Sequence, residues 1–114
     1  MLPKKARLRK NTDFDSVYRK GRCYPGKDLS IYVLANDLLF KRCGFSISKK
    51  VSKKAVERNK LKRQLSFIFR EESKEIKSCV DIVFVARKNL LNLNYLEIKS
   101  AVKNLLVKAK LYTS

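Results

Sequence analysis

The sequence predicts an α+β domain, a single sheet with helices packed on it. Three observations carry that reading. Residues 29–34 (LSIYVL) and 41–48 (KRCGFSIS) alternate at period two, 81–87 (DIVFVAR) is an almost unbroken apolar run, and residues 53–74 and 94–111 carry apolar positions at helical spacing. The order is helix, two or three strands, helix, strand, helix, and one sheet covered by helices buries all of these faces most economically. A chain of 114 residues suits one domain, 1–114. With 45% hydrophobic residues, three Gly and two Pro, the core is real but modest, and no long linker is expected.

Residues 1–10 read as a basic arm, with Lys or Arg at five of the seven positions from 4 to 10. A short helix follows, with Thr12 as its N-cap, Asp13 and Asp15 in the first turn and Gly21 as its stop. Phe14, Val17 and Tyr18 share one face of it. After a turn at Pro25-Gly26, Leu29, Ile31 and Val33 point to one side of a strand, and Ser30, Tyr32 and Leu34 to the other. Asn36-Asp37 signals a turn into the next strand. Its Cys43, Phe45 and Ile47 oppose Gly44, Ser46 and Ser48, so the two strands read as an antiparallel pair with one apolar and one polar side. A long helix is expected over 53–74. The apolar run of 81–87 suits a strand covered on both faces at the centre of the sheet. Asn94 and Glu97 have capping-box spacing and open a last helix to about Leu111, buried along Ile98, Ala101, Val102 and Leu105.

The charge is the unusual property. Twenty-eight Lys and Arg against ten Asp and Glu give +18, an imbalance that destabilises the compact chain but speeds association with anionic partners. Nucleic acid is the leading partner class. A spanning helix would need an apolar run of ~20 residues, and none is present. The opening MLPKKARLRK lacks the apolar stretch of a secretory signal. Cys23, Cys43 and Cys79 are odd in number and lack C-x-x-C spacing, which argues for free thiols in a reducing compartment over a disulfide framework or zinc ribbon. Without histidine, imidazole bases and His-ligated metals are excluded.

Between Lys49 and Arg63 stand eight Lys or Arg and one acid, Glu57. Helical angles place Leu61, Leu65 and Ile68 toward the core and Asn59, Lys62, Arg63, Ser66 and Arg70 away from it. An ordinary solvated face would carry acids at i±4 to pair these cations; here Glu71, Glu72 and Glu75 arrive only in the last turns. Lys49, Lys50, Lys53, Lys54 and Arg58 also crowd the positive end of the helix dipole, where a phosphate would meet both backbone N–H groups and side-chain cations. Beside this, Tyr32, Ser46 and Ser48 on the polar sheet face, with Phe14 and Tyr18 leaning over them, would form a groove for stacked single-stranded bases. Plain packing of Phe14, Val17 and Tyr18 on the sheet explains the same residues equally well.

The stretch ERNKLKRQLSFIFRE (57–71), preceded by SISKKVSKKAV (46–56), closely resembles the signature of the bacterial ribonuclease P protein component. RLRKNTDFDSVYRKG (7–21), GFSISKKV (44–51) and DIVFVARK (81–88) extend the likeness over nearly the whole chain. The resemblance implies a two-layer α/β sandwich with a four-stranded mixed sheet and three helices, order αβββαβα. It also implies a left-handed βαβ crossover through the basic helix, against the usual rule of hand. It implies further that the protein joins a catalytic RNA that removes the 5′ leader of precursor tRNA, with Mg²⁺ held mainly by that RNA. Lys49, Lys50, Arg58, Asn59, Lys62 and Arg63 would then meet RNA, with Lys53, Lys54, Lys60 and Arg70 of the same basic segment. Phe14, Val17, Tyr18, Tyr32, Ser46 and Ser48 would form the leader cleft. No residue of the protein would be catalytic. Two positions depart from the family pattern, which usually has Arg at Lys60 and commonly at Ser66; the first keeps charge without the guanidinium fork, the second leaves a gap in the stripe. The protein alone is expected to be monomeric and cytoplasmic. The rival readings are a ribosomal protein or RNA chaperone, and a self-sufficient nuclease. The last would need clustered carboxylates, whereas Asp13, Asp15, Asp28, Asp37 and Asp81 are scattered.

Overall fold

The computed structural model describes residues 6–38, 40–76 and 79–111. In chain order the elements are α1 (Asn11–Lys20), β1 (Arg22–Tyr24), β2 (Leu29–Ala35), β3 (Arg42–Ser46), α2 (Ala55–Glu72), β4 (Val80–Ala86) and α3 (Tyr95–Lys108), with 3-10 turns at Ser73–Glu75 and Lys88–Asn92. This is the expected order αβββαβα.

The four strands run β1-β2-β4-β3 across the sheet. β2 and β3 are therefore not the antiparallel pair their alternation suggested. β4 lies between them, antiparallel to β2 (Leu29↔Ala86 through Ala35↔Val80) and parallel to β3 (Arg42↔Asp81 through Ser46↔Val85). The cause is the apolar run itself. Ile82, Val83 and Phe84 have no exposed surface, so consecutive side chains on opposite faces must both be covered, and only a central strand meets that demand. Asp81 adds polar specificity. Arg42, its register partner on β3, reaches its two oxygens through Nε at 2.9 Å and a terminal nitrogen at 2.7 Å, and the Asn36 amide donates at 2.8 Å.

One sheet face carries the main core, in which Leu29, Ile31, Cys43, Ile82 and Phe84 pack beneath Leu61, Leu65, Ile68 and Phe69 of α2 and Ile98, Val102 and Leu106 of α3. The other face is partly covered by α1 through Val17, which packs with Leu8 and Val83. Ala101 is only half-buried; the unforeseen Leu106 takes its share of the stripe.

Several boundaries differ from expectation. The N-cap of α1 is Lys10 and not Thr12, because the Lys10 carbonyl accepts from the Asp13 and Phe14 N–H groups (3.0 and 3.2 Å) and closes the first turn two residues early. Gly21 does end it. Its φ of −78° is ordinary, but a Cβ would lie 2.4 Å from the Val17 oxygen and 2.7 Å from that of Val33. α3 has its full capping box, Asn94 Oδ1 and Glu97 Oε1 each accepting a backbone N–H at 2.9 Å. It stops at Lys108, short of Leu111, in a Schellman turn. Lys110 adopts φ 58°, its N–H bonds the Val107 oxygen at 2.9 Å, and the Leu111 N–H bonds that of Leu106 at 3.2 Å.

Residues 1–5 of the expected basic arm lie outside the described residues. Of residues 6–10, Arg9 and Lys10 are exposed, while Arg7 and Leu8 lie against the sheet. Arg7 bridges Cys43, the Leu8 N–H bonds the Cys43 oxygen at 2.8 Å, and Leu8 is buried. Leu8 has an apolar seat beneath α1, so the segment covers the outer edge of β3, which would otherwise expose unpaired backbone groups.

Candidate nucleic-acid interface

β3 connects the two surfaces that the sequence singled out. Along one side of it α1 leans over the sheet and leaves a groove of about 510 Å³ bounded by Asn11, Phe14, Asp15, Tyr18, Phe45 and Ser46. The groove depends on Gly44, whose absent side chain lets the Phe14 ring lie almost on the strand: a Cβ would sit 2.4 Å from Phe14 Cζ. Tyr18 and Tyr32 meet edge to face with ring centroids 4.9 Å apart. A hydrogen bond with the Cys23 thiol, its register partner on β1, is the first cause that holds the Tyr32 phenol above its ordinary pKa, so the hydroxyl is neutral near pH 7. Val17 has no exposed surface, so it fixes α1 to the sheet beneath the groove and touches nothing in solvent. Asp13 in the first turn of α1 lies 3.7 Å from Arg42, which ties the helix to the Asp81 network.

Two residues past the groove the chain turns. Ser48 is exposed, and its hydroxyl accepts from the Lys50 N–H at 3.2 Å, presenting Lys49 and Lys50 to solvent. Buried Ser52 then organises the start of α2. Its hydroxyl accepts from the Lys54 N–H at 3.1 Å and donates to the Glu57 carboxylate at 2.5 Å, while its carbonyl accepts from Arg58 at 2.9 Å. Glu57 thereby places a negative charge against the positive end of the helix. Arg58 is half-buried and tethers the turn, whereas Lys53, Lys54, Asn59, Lys60, Lys62, Arg63 and Arg70 are exposed.

Along the outer side of α2, Asn59, Lys62, Arg63, Ser66, Phe67 and Arg70 border a second concavity of about 510 Å³. The helical angles had gathered these residues apart from Phe67. Among the described residues the acids nearest the end of this helix face elsewhere: Glu71 is 3.5 Å from Lys99 and accepts from the Tyr95 hydroxyl at 3.4 Å, and Glu72 is buried. Among the described residues the cationic stripe thus has no acid in salt-bridge reach.

Sequence reasoning missed Gly44, Ser52, Arg42 and Phe67. Ser52 left a weak trace, a hydroxyl just ahead of the helix with Glu57 five residues later instead of three. Arg42 and Gly44 gave none, since each acts on an element distant in sequence, Arg42 on Asp81 of β4 and Gly44 on Phe14 of α1. Among the described residues no three Cys, Asp or Glu gather as a metal site, and no helix is long and apolar enough to cross a membrane.

A family model described as Ribonuclease P matches residues 2–110. The chain is 44% identical over 108 residues to the ribonuclease P protein component of Alkaliphilus oremlandii, covering 95% of this chain and 94% of that one. It is 43% identical over 111 residues to that of a Pseudanabaena species, covering 96% of each. Among solved structures, the RNase P protein of Staphylococcus aureus superposes with a TM-score of 0.87 at 31% identity, over 95% of this chain and 98% of that one. The RNase P protein of Thermotoga maritima does so with a TM-score of 0.81 at 29% identity, over 90% and 96%.

Proposed function

The chain belongs to the ribonuclease P protein family, and from that premise we propose that it is the protein subunit of a ribonucleoprotein endoribonuclease that removes the 5′ leader of precursor tRNA. The observation that carries this reading is the outer face of α2, where exposed Asn59, Lys62, Arg63 and Arg70 stand together with no acid among them. Such a surface neutralises a phosphate backbone. Its lining offers no carboxylate to act as a base or to hold a metal. In this reading bond breaking falls to the catalytic RNA, with Mg²⁺ held mainly by that RNA.

In this arrangement the outer face of α2 and the turn at Lys49 and Lys50 meet the catalytic RNA. The groove between α1 and β3 takes the single-stranded leader, stacking its bases on Phe14 and Tyr18 while its phosphates run toward Lys49 and Lys50. Before it joins RNA the subunit is a monomer, consistent with the self-repulsion of +18 charges. Its three free thiols suit the cytoplasm.

The test is reconstitution of the protein with catalytic RNA and precursor tRNA. Because Arg58 braces the Ser52 turn, the clean variant is the double substitution Asn59→Ala, Arg63→Ala on exposed positions. It should keep the fold, lose cleavage at low Mg²⁺ and recover as Mg²⁺ is raised. For leader-dependent binding, about five phosphates on a single strand give a slope of log K against log[salt] near −3.5. Unchanged cleavage by the double variant would refute the role of the face. No stimulation of the catalytic RNA by wild-type protein would favour a ribosomal or chaperone role, and cleavage without RNA a nuclease.

A further inference from the structure

We infer that Phe67 is a stacking platform for one unpaired base of the RNA that docks on the outer face of α2; this rests on the reading above and names a contact within it. Phe67 is 54% exposed although the core beneath α2 is already filled by Leu61, Leu65, Ile68 and Phe69, each buried. It stands one turn after Arg63 and one turn before Arg70, positions that share a helix face with it. Its neighbour Ser66 is short, which leaves room over the ring in the concavity that these residues border. The ring also lies beside Tyr95, with centroids 6.2 Å apart and planes tilted 57°.

The occupant follows from charge complementarity. An aromatic face set among Lys62, Arg63 and Arg70 suits a flat group that carries a phosphate, and a nucleotide is that group. The base must be unpaired, because bases inside an A-form helix present no face to a side chain. A stacked base would also be held without a direct charge at Ser66. The cations on either side take the phosphates before and after it.

The experiment measures binding of the full chain to its catalytic RNA at several salt concentrations, with Phe67→Ala, Phe67→Leu, Phe67→Tyr and Arg63→Ala. Loss of one base stack should weaken binding by roughly 5- to 150-fold in Phe67→Ala and Phe67→Leu, with the salt slope unchanged. Phe67→Tyr keeps the ring and should stay within about threefold of wild type. Arg63→Ala should instead flatten the slope by roughly 0.7 to 0.9. Leucine keeps bulk and apolarity, so the comparison of leucine with tyrosine decides the matter even if the alanine variant folds poorly. Phe67→Leu binding as well as Phe67→Tyr, or flattening the slope as Arg63→Ala does, would overturn the platform while leaving the family reading intact. Wild-type protein that fails to bind the catalytic RNA would overturn the reading beneath it.

Discussion

Replacing Gly44 with alanine tests whether the groove is set by a single missing methyl group. The added Cβ would sit 2.4 Å from Phe14 Cζ, 2.7 Å from its Cε1 and 3.1 Å from the Leu8 Cβ. Ordinary contact begins near 3.4 Å, so the ring must retreat by about 1 Å, and overpacking of that kind costs about 1–3 kcal/mol. Urea denaturation should show that loss in Gly44→Ala. In a Phe14→Ala background the ring is gone. The same substitution should then be close to neutral, since the 3.1 Å approach to the Leu8 Cβ remains while alanine in a strand recovers about 0.5–1 kcal/mol relative to glycine. The coupling between the two positions is therefore expected at about 1–3 kcal/mol, far above the ~0.5 kcal/mol scatter of independent sites. In binding, Gly44→Ala should weaken leader-bearing precursor tRNA a fewfold, a fraction of the roughly 5- to 150-fold that removing an aromatic stack costs, and spare mature tRNA. Equal stability losses in both backgrounds would refute the contact. Equal binding losses for precursor and mature tRNA would refute the groove as the leader site.

Two further predictions concern the frame that holds the interface. Arg42→Ala removes the charged partner of the buried Asp81 carboxylate, leaving the Asn36 amide among the described residues, and should lower stability by about 3–5 kcal/mol; Asp13→Asn, which removes a 3.7 Å surface contact, should cost under about 1 kcal/mol. Similar denaturation midpoints for the two variants would show that the Asp81 network is not what fixes the register. Burial pushes the Cys43 thiol well above its ordinary pKa. Above about pH 8.5 the unfolded chain therefore releases this proton while the folded chain keeps it. Stability should be complete below that pH and fall above it, by up to about 1.4 kcal/mol per pH unit for one thiol. The slope between about pH 8.5 and 10 should flatten in Cys43→Ala; an unchanged slope would mean that another group carries it.

What was legible in the sequence was what neighbouring residues determine together. The capping box at Asn94 and Glu97, the apolar run of β4 and the outer stripe of α2 are all local patterns, and each stands where the pattern put it. The strand order was not legible from alternation, because β2 and β3 have the same period whether they touch or flank a third strand. What decides is the double-sided burial of Val83 and its neighbours, a demand that only the assembled sheet expresses. β1 has three residues and its edge position needs no apolar pattern, so it gave no periodic signal at all. Leu8 shows the same limit from the other side: one apolar residue in a cationic segment looks incidental until the edge of β3 and the underside of α1 supply its seat.

The distribution of the acids explains why a +18 chain can fold and still offer an unneutralised face. Asp13 and Asp81 converge on Arg42, Asp28 accepts from Asn89 at 2.6 Å, Glu57 is held by Ser52, Glu71 lies against Lys99 and Glu97 closes the α3 capping box. Each of these carboxylates is engaged by a group of the fold itself, whether guanidinium, amide, hydroxyl, ammonium or backbone N–H. None borders the concavity beside Asn59, Lys62, Arg63 and Arg70. Were the same acids spread along α2 at i±4 from its cations, the isolated helix would gain a few tenths of a kcal/mol per pair and the face would lose its field. The repulsion that remains is the same interaction that draws a polyanion, so the electrostatic cost to the free protein and its affinity for RNA have one origin.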